Sequence, residues 1–333
     1  MLCHRAGCVP RWTPSFLSML LVGVAACVTG GLHPVDAADA TSGSRRILVC
    51  GGRTAIVDIT PDHPEGVVEW SWPANTREGW VLPDGNVLLA LSKGGSTPKG
   101  AAVEIKRGTN GVADKIVWRY DGTQDEVNSI QKTPDGTYVL TEAGPNPRLV
   151  ELAADGSVKV EFPLVCQKQN AHMQSRMARK QADGTYLVPH LLDFAIIRYD
   201  AVGKELARID THVAGEPKAN SWPFTAIALA DGGILAGLTN GNRVVEYGND
   251  GKPRWEVTAA DVDAAINDAC GIQRLPSGNT MIASYHIGKD GVRLVEVSPE
   301  KKAVWKWQAN VPNVHHFQVL AVDGVTVPWP PLR

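Results

Sequence analysis

Residues 270–308 read CGIQRLPSGNTMIASYHIGKDGVRLVEVSPEKKAVWKWQ, and this stretch decides the fold. Gly271–Leu275 has the character of a strand, closed by a Pro276-Ser277-Gly278-Asn279 turn. Thr280–Tyr285, Val292–Ser298 and Ala303–Gln308 follow as three more strands. Glycine supplies the positive φ that such tight turns require. Apolar and polar residues alternate only partly, as in strands covered on both faces.

The same unit recurs along the chain. Its Asp-Gly or Ser-Gly turn begins at Asp84, Asp135, Asp183, Asp231, Ser277 and Asp323, so successive spacings are 51, 48, 48, 46 and 46 residues by subtraction. A second marker is one charged residue inside an apolar third strand: Asp58, Glu104, Glu151, Arg198, Glu246 and Glu296. A third is a tryptophan-bearing fourth strand, at Trp70 and Trp72, Trp118, Trp255, and Trp305 and Trp307; Phe162 and Ile209 stand there in the third and fourth units. A period in this range, carried by short strands, is that of a β-propeller.

The first unit lacks a turn on its N-terminal side, and the last turn, at Asp323, has no third strand after it. Phe317–Val322 therefore completes the first blade, which removes the free sheet edges of an open array. The expected fold is an all-β, six-bladed propeller of four-stranded antiparallel blades, with seven or eight blades as the alternative. It occupies residues 46–333 as one domain.

The N-terminal segment reads as a targeting sequence. Arg5 and Arg11 precede an apolar core, Phe16–Ala26, that is short for a membrane span. A signal peptide of residues 1–37 followed by a linker of 38–45 is one reading. The other is a lipoprotein leader of residues 1–26, in which Val24-Ala25-Ala26-Cys27 is a lipobox and Cys27 carries the lipid. Both place the body outside the cytoplasm, periplasmic or secreted, and membrane contact is expected only through a lipid on Cys27.

Net charge is −2, and no basic block is long enough to line a nucleic-acid groove. Cys50, Cys166 and Cys270 in the body match no zinc spacing, and no metal ligand is assigned from spacing. They read as buried thiols, with one disulfide among them as the alternative.

Loops from several blades converge where the innermost strands enter the channel, so a ligand site belongs there. Seven residues before each turn stand Arg77, Asn128, Arg176, Phe224, Cys270 and His316. Nearby are Glu78, His172 and His315, and at the far end of the second strands Ser92, Glu142, His190, Asn240, Tyr285 and His286. Imidazoles beside arginines and a carboxylate make an anion-binding or acid–base pocket. The ligand-binding candidates are Arg77, Asn128, Glu142, His172, Arg176, His190, Tyr285, His286 and His315. A metal held by His172, His190, His286 or His316 with Glu142 is a third chemistry for the same residues. Thr258 to Asp261 reads as a capping box opening a short helix through Ile266.

The repeats resemble those of the quinoprotein-dehydrogenase-like (PQQ-like) propeller superfamily. The likeness rests on Gly-x-x-x-Trp at Gly66–Trp70 and Gly251–Trp255, and on Leu-Pro-x-Gly-Asn at Leu82–Asn86 and Leu275–Asn279. The dehydrogenases themselves have eight blades and often adjacent cysteines, which this sequence lacks, so the PQQ cofactor is not carried over. Cys270–Asn279 and His315-His316-Phe317-Gln318 are also similar to segments of arylsulfotransferase-like propellers. That resemblance implies His316 as a catalytic nucleophile, with His172, Arg176 and Asn128 binding charged oxygens; Phe224 and Cys270 depart from it. The leading expectation is a scaffold that binds a protein or small ligand at the channel mouth, with a transferase or hydrolase as the alternative.

Overall fold

A computed structural model describes residues 42–109, 111–166, 170–217, 221–288 and 291–333. The segment expected to be a leader, residues 1–37, and Cys27 lie outside the described residues. The chain forms six antiparallel sheets arranged as the blades of a propeller. Blade 2 runs Thr76–Val81, Val87–Leu91, Ala101–Lys106 and Lys115–Asp121; blade 3 runs Glu126–Lys132, Tyr138–Ala143, Arg148–Leu152 and Val158–Pro163. Blade 4 has a short inner strand, Arg179–Lys180, then Tyr186–His190, Ala195–Tyr199 and Glu205–Asp210. Blade 5 consists of Trp222–Ala228, Ile234–Thr239, Arg243–Tyr247 and Pro253–Thr258, and blade 6 of Ala269–Arg274, Thr280–Ser284, Val292–Val297 and Ala303–Gln308.

Blade 1 is closed as the sequence predicts. Val314–Val322 is its innermost strand and pairs with Arg45–Gly51, which is followed by Thr54–Thr60 and His63–Trp72. A two-residue strand, Val325–Thr326, adds to the inner edge. Among the described residues, no helix is long and apolar enough to cross a membrane.

The repeated markers hold neighbouring blades together. Glu104 accepts hydrogen bonds from Lys132 Nζ at 2.7 Å and Tyr138 Oη at 2.6 Å, both on the next blade. Glu151 does the same with Lys180 at 2.8 Å and Tyr186 at 2.5 Å. Glu246 takes Arg274 at 2.6 Å, and Glu296 takes Arg45 at 2.8 Å across the closure. The fourth-strand aromatics serve the same contact: Trp118 stacks on Tyr138 at 3.7 Å, and Arg45 lies over Trp305 at 5.3 Å. At these four positions a charge inside an apolar strand is tolerated because the next blade supplies its counter-charge, whereas Arg198 pairs with Asp183 of its own blade at 3.2 Å.

The expected helix after Thr258 is shorter than its capping box implies. Asp261 accepts from the Thr258 backbone N–H and hydroxyl, each at 2.8 Å, but the 3₁₀ turn ends at Val262. Asp263 and Ala264 take left-handed φ values of 53° and 58°, which stop propagation.

The far end of the channel is filled by residues 327–333. Arg274 donates its backbone N–H to the Leu332 carbonyl, and Arg179 Nε donates to the Arg333 carbonyl, at 2.9 Å each. The Arg333 side chain reaches the carbonyls of Phe317 and Gly79 and lies over Trp80. Gly271 is required where blades 6 and 1 meet, since a Cβ there would stand 2.9 Å from His316 Cα. Gly271→Ala is expected to cost about 1–3 kcal/mol by overpacking; urea denaturation checks this, and an unchanged midpoint would refute the close approach.

Candidate functional site

The inner strands break their ladders at corresponding places. Pairing skips Arg77 in blade 2, Asn128 in blade 3, Phe224 in blade 5, Cys270 and Gly271 in blade 6, and His315 in blade 1. In blade 4 the regular strand begins only at Arg179, and Arg176 is held by its N–H to the Pro189 carbonyl at 3.2 Å. A β-bulge re-aims the side chain it releases. Four of the six positions measured back from the turns thus coincide with ladder breaks that ring the channel mouth, and Arg176 precedes the regular strand of its blade.

Glu126 lies at the centre of the charged group. Its Oε2 is 3.3 Å from Arg77 Nη2, 3.6 Å from His172 Nδ1 and 3.8 Å from Arg176 Nη1, and its Oε1 is 3.2 Å from Lys93 Nζ. Burial alone would raise the Glu126 pKa, but His172 and the charges of Arg77 and Arg176 hold it at about 2. Three permanent cations therefore surround one carboxylate, leaving an excess of positive charge.

Arg176 is fully buried. Its Nη2 donates to the His172 carbonyl, and its guanidinium lies over the Phe224 ring at 5.6 Å. Burial, then the charge of Arg77, pushes its pKa down to about 9, so it remains a cation at neutral pH. Arg176 Nε and Nη1, Arg77 Nε, Asn128 Oδ1, Ser175 Oγ, Trp222 Nε1 and His315 Nδ1 are buried and make no hydrogen bond among the described residues. Buried polar atoms are ordinarily satisfied, so this concentration sets the mouth apart.

His172 comes from the link between blades 3 and 4, on a 3₁₀ turn at Ala171–Met173. The Ala171 carbonyl accepts from Asn128 Nδ2 at 3.4 Å, which ties that turn to the ring. His315 lies 4.2 Å from the Tyr285 ring and 5.6 Å from Phe224. Tyr285 in turn lies 4.6 Å from His286, whose Nδ1 makes a short contact with Asp268 Oδ2. Asp268 is fixed by accepting from the Asn240 N–H at 2.9 Å. The ring of His286 is open to solvent and oriented by a buried carboxylate, the arrangement of a proton-transfer group.

Burial, then Arg77 and Arg176, pushes the His315 pKa well below the usual imidazole range, so the ring is neutral. Because the folded pKa is depressed, the unfolded chain takes up the proton first on acidification. The stabilisation is full above about pH 6.5 and is lost below it, with a slope of up to about 1.4 kcal/mol per pH unit. His315→Gln is expected to flatten the pH dependence of urea stability between pH 6.5 and 5 by that amount; identical slopes in the two proteins would contradict the assignment.

The predicted residues divide into three groups. Arg77, Asn128, His172, Arg176, Tyr285, His286 and His315 gather at the mouth. His316 does not join them, because the break at His315 sends His316 one layer deeper. There it is fully buried, with Nδ1 3.1 Å from Arg333 Nη1, away from Arg77 and Arg176. Glu142 is buried between Thr123 and Arg148, which donate at 2.8 Å each, and serves a structural bridge. His190 sits beside Cys166 and Tyr199. Cys50, Cys166 and Cys270 are free, and burial pushes the Cys50 and Cys270 thiols up to about 12, which removes them as nucleophiles at neutral pH.

Glu126, Lys93, Asp268 and Trp222 are additional mouth residues that do not stand seven residues before a turn. Two residues before the ring positions stand Asn75, Glu126, Gln174, Trp222, Asp268 and Val314, and of these Glu126, Trp222 and Asp268 are at the mouth.

No family model matches the chain, and no curated protein matches it. Solved structures that resemble it are β-propellers. A protein of unknown function from Bacteroides caccae has 19% identity and a TM-score of 0.67, over 83% of this chain and 98% of that one. The periplasmic gluconolactonase of Pseudomonas aeruginosa has 13% identity and a TM-score of 0.56, over 86% and 100%. A catalytically inactive histidine-to-alanine variant of virginiamycin B lyase from Staphylococcus aureus, crystallised with quinupristin, has 14% identity and a TM-score of 0.53, over 87% and 95%. At these identities the likeness shows the fold alone.

Proposed function

We propose that this propeller binds a small organic anion at the channel mouth, between Arg77 and Arg176, and does so outside the cytoplasm. The observation that carries the reading is the buried Arg176 guanidinium, whose Nε and Nη1 make no hydrogen bond among the described residues, beside the Nε of Arg77 in the same state. A carboxylate, sulfate or phosphate group supplies the acceptors these donors lack and offsets the excess positive charge. Phe224, Tyr285 and Trp222 line the same mouth and give an apolar wall for the rest of the ligand. Export is supported by the targeting segment, and mass spectrometry of the mature N-terminus distinguishes cleavage after residue 37 from a lipid on Cys27.

Calorimetric titration with succinate, gluconate, citrate, phosphate and 4-nitrophenyl sulfate tests the binding reading. At least one is expected to bind, with affinity falling as salt rises. No binding by any of them, or equal binding by Arg77→Met, would reject it.

Acid–base chemistry on the bound anion is a second reading, favoured by the Asp268–His286 pair. It moves the catalytic role from His316, which is buried one layer below, to His286. Turnover of a lactone or sulfate ester that is lost in His286→Ala and reduced in Asp268→Asn would support it. Turnover lost in His316→Gln and unaffected in His286→Ala would return the role to His316.

A further inference from the structure

Away from the ring, the loop end of blade 4 brings together three donors of different kinds. His190 Nδ1 lies 3.8 Å from Cys166 Sγ and 3.5 Å from Asp193 Oδ2. All three donor atoms fall within 4.8 Å of one another. We propose that Cys166, His190 and Asp193 bind a divalent transition-metal ion, zinc by preference, with the fourth position open to solvent.

The spacing suits such an ion. Zinc bonds of about 2.3 Å to sulfur and about 2.0–2.1 Å to nitrogen or oxygen, at tetrahedral angles, separate the donors by roughly 3.3–3.7 Å. The two measured separations are near that range before any ion draws the groups together. The imidazole is also prepared. His190 Nε2 is 3.0 Å from Tyr199 Oη, and a proton on Nε2 donated to the phenol leaves the Nδ1 lone pair for the metal. A thiolate with an imidazole selects zinc over magnesium or calcium, which take oxygen donors.

The backbone supports the group. His190 ends the second strand of blade 4, where it bridges to Ser175, and Asp193 stands in the turn that follows. His190 is buried, whereas Cys166 and Asp193 are partly exposed and give the ion a route in. Cys166 also lies at the root of the link that carries His172 to the mouth. A bound ion would fix that root; this consequence rests on the anion-binding reading, while the metal site itself does not.

Untagged protein, purified with reductant, is loaded with zinc, dialysed against metal-free buffer and analysed by mass spectrometry for metal. One equivalent is expected in the wild type, and substoichiometric zinc in Cys166→Ser and Asp193→Asn. Cys166 is partly exposed, so its variant is expected to fold; circular dichroism verifies this. Cobalt loading provides a second reading, with a thiolate-to-cobalt charge-transfer band expected in the wild type and absent in Cys166→Ser. Substoichiometric zinc in the wild type, or zinc retained equally by both variants, would overturn the proposal. A zinc defect that leaves anion binding intact would uphold the site and reject its link to the mouth.

Discussion

Glu78→Ala is expected to lower the unfolding free energy by about 3–5 kcal/mol. Glu78 is fully buried one residue below the ring, where Oε1 accepts from Arg179 Nη2 at 2.5 Å and lies 3.9 Å from Arg333 Nη2. Its Oε2 accepts from the Ile130 N–H at 2.8 Å. Removing the carboxylate leaves two buried guanidiniums without their counter-charge and one orphaned amide, at a depth where water cannot replace them. Glu78→Gln keeps an acceptor but not the charge and should fall between. Arg46→Ala is the control: its pair with Glu69 at 2.7 Å has both side chains about a third exposed, and its loss should cost less than about 1 kcal/mol. Urea denaturation of the three variants checks the series. A Glu78→Ala change no larger than the control would contradict the buried bridge.

Arg176→Met should separate binding from stability. The substitution keeps most of the side-chain volume and removes a cation whose burial is only partly offset by Glu126 and the His172 carbonyl. Replacing an incompletely paired buried charge with an apolar group is often neutral or stabilising, so the melting temperature should hold or rise. Affinity for the anion should meanwhile fall about 10–100-fold, the loss of one or two charge-assisted hydrogen bonds. A residue retained for packing would give the reverse, with reduced stability and unchanged affinity. Thermal denaturation and calorimetry on the same preparation distinguish the two.

The fold was legible because its period is imposed by blade contacts that recur in sequence. Glu104, Glu151, Glu246 and Glu296 each meet a cation on the next blade, so the charged marker repeats with the interface it serves. Arg77, Asn128 and Arg176 were legible for a related reason, since a polar side chain at the start of an otherwise apolar inner strand has little structural use. His315 and His316 show where that logic ends. A bulge adds one residue and inverts which side chain faces the channel, and nothing in the pair His-His signals it. Glu142 is a different case: its partner Arg148 lies on the adjoining strand, and the repeat register carries no information about that pairing. Glu126 and Asp268 stand two residues before Asn128 and Cys270, where no repeated marker singles them out.

In the proposed function, Arg77 and Arg176 form an anion site at the channel mouth. A crystal structure with the tightest-binding anion of the titration series tests it most directly. The anionic group is expected at the mouth, accepting from Arg176 Nε or Nη1 and Arg77 Nε at about 2.7–3.0 Å, with Tyr285 and Phe224 against its apolar part. An anion bound on the blade rims or at the far end beside Arg333, with Arg77 and Arg176 untouched, would contradict it.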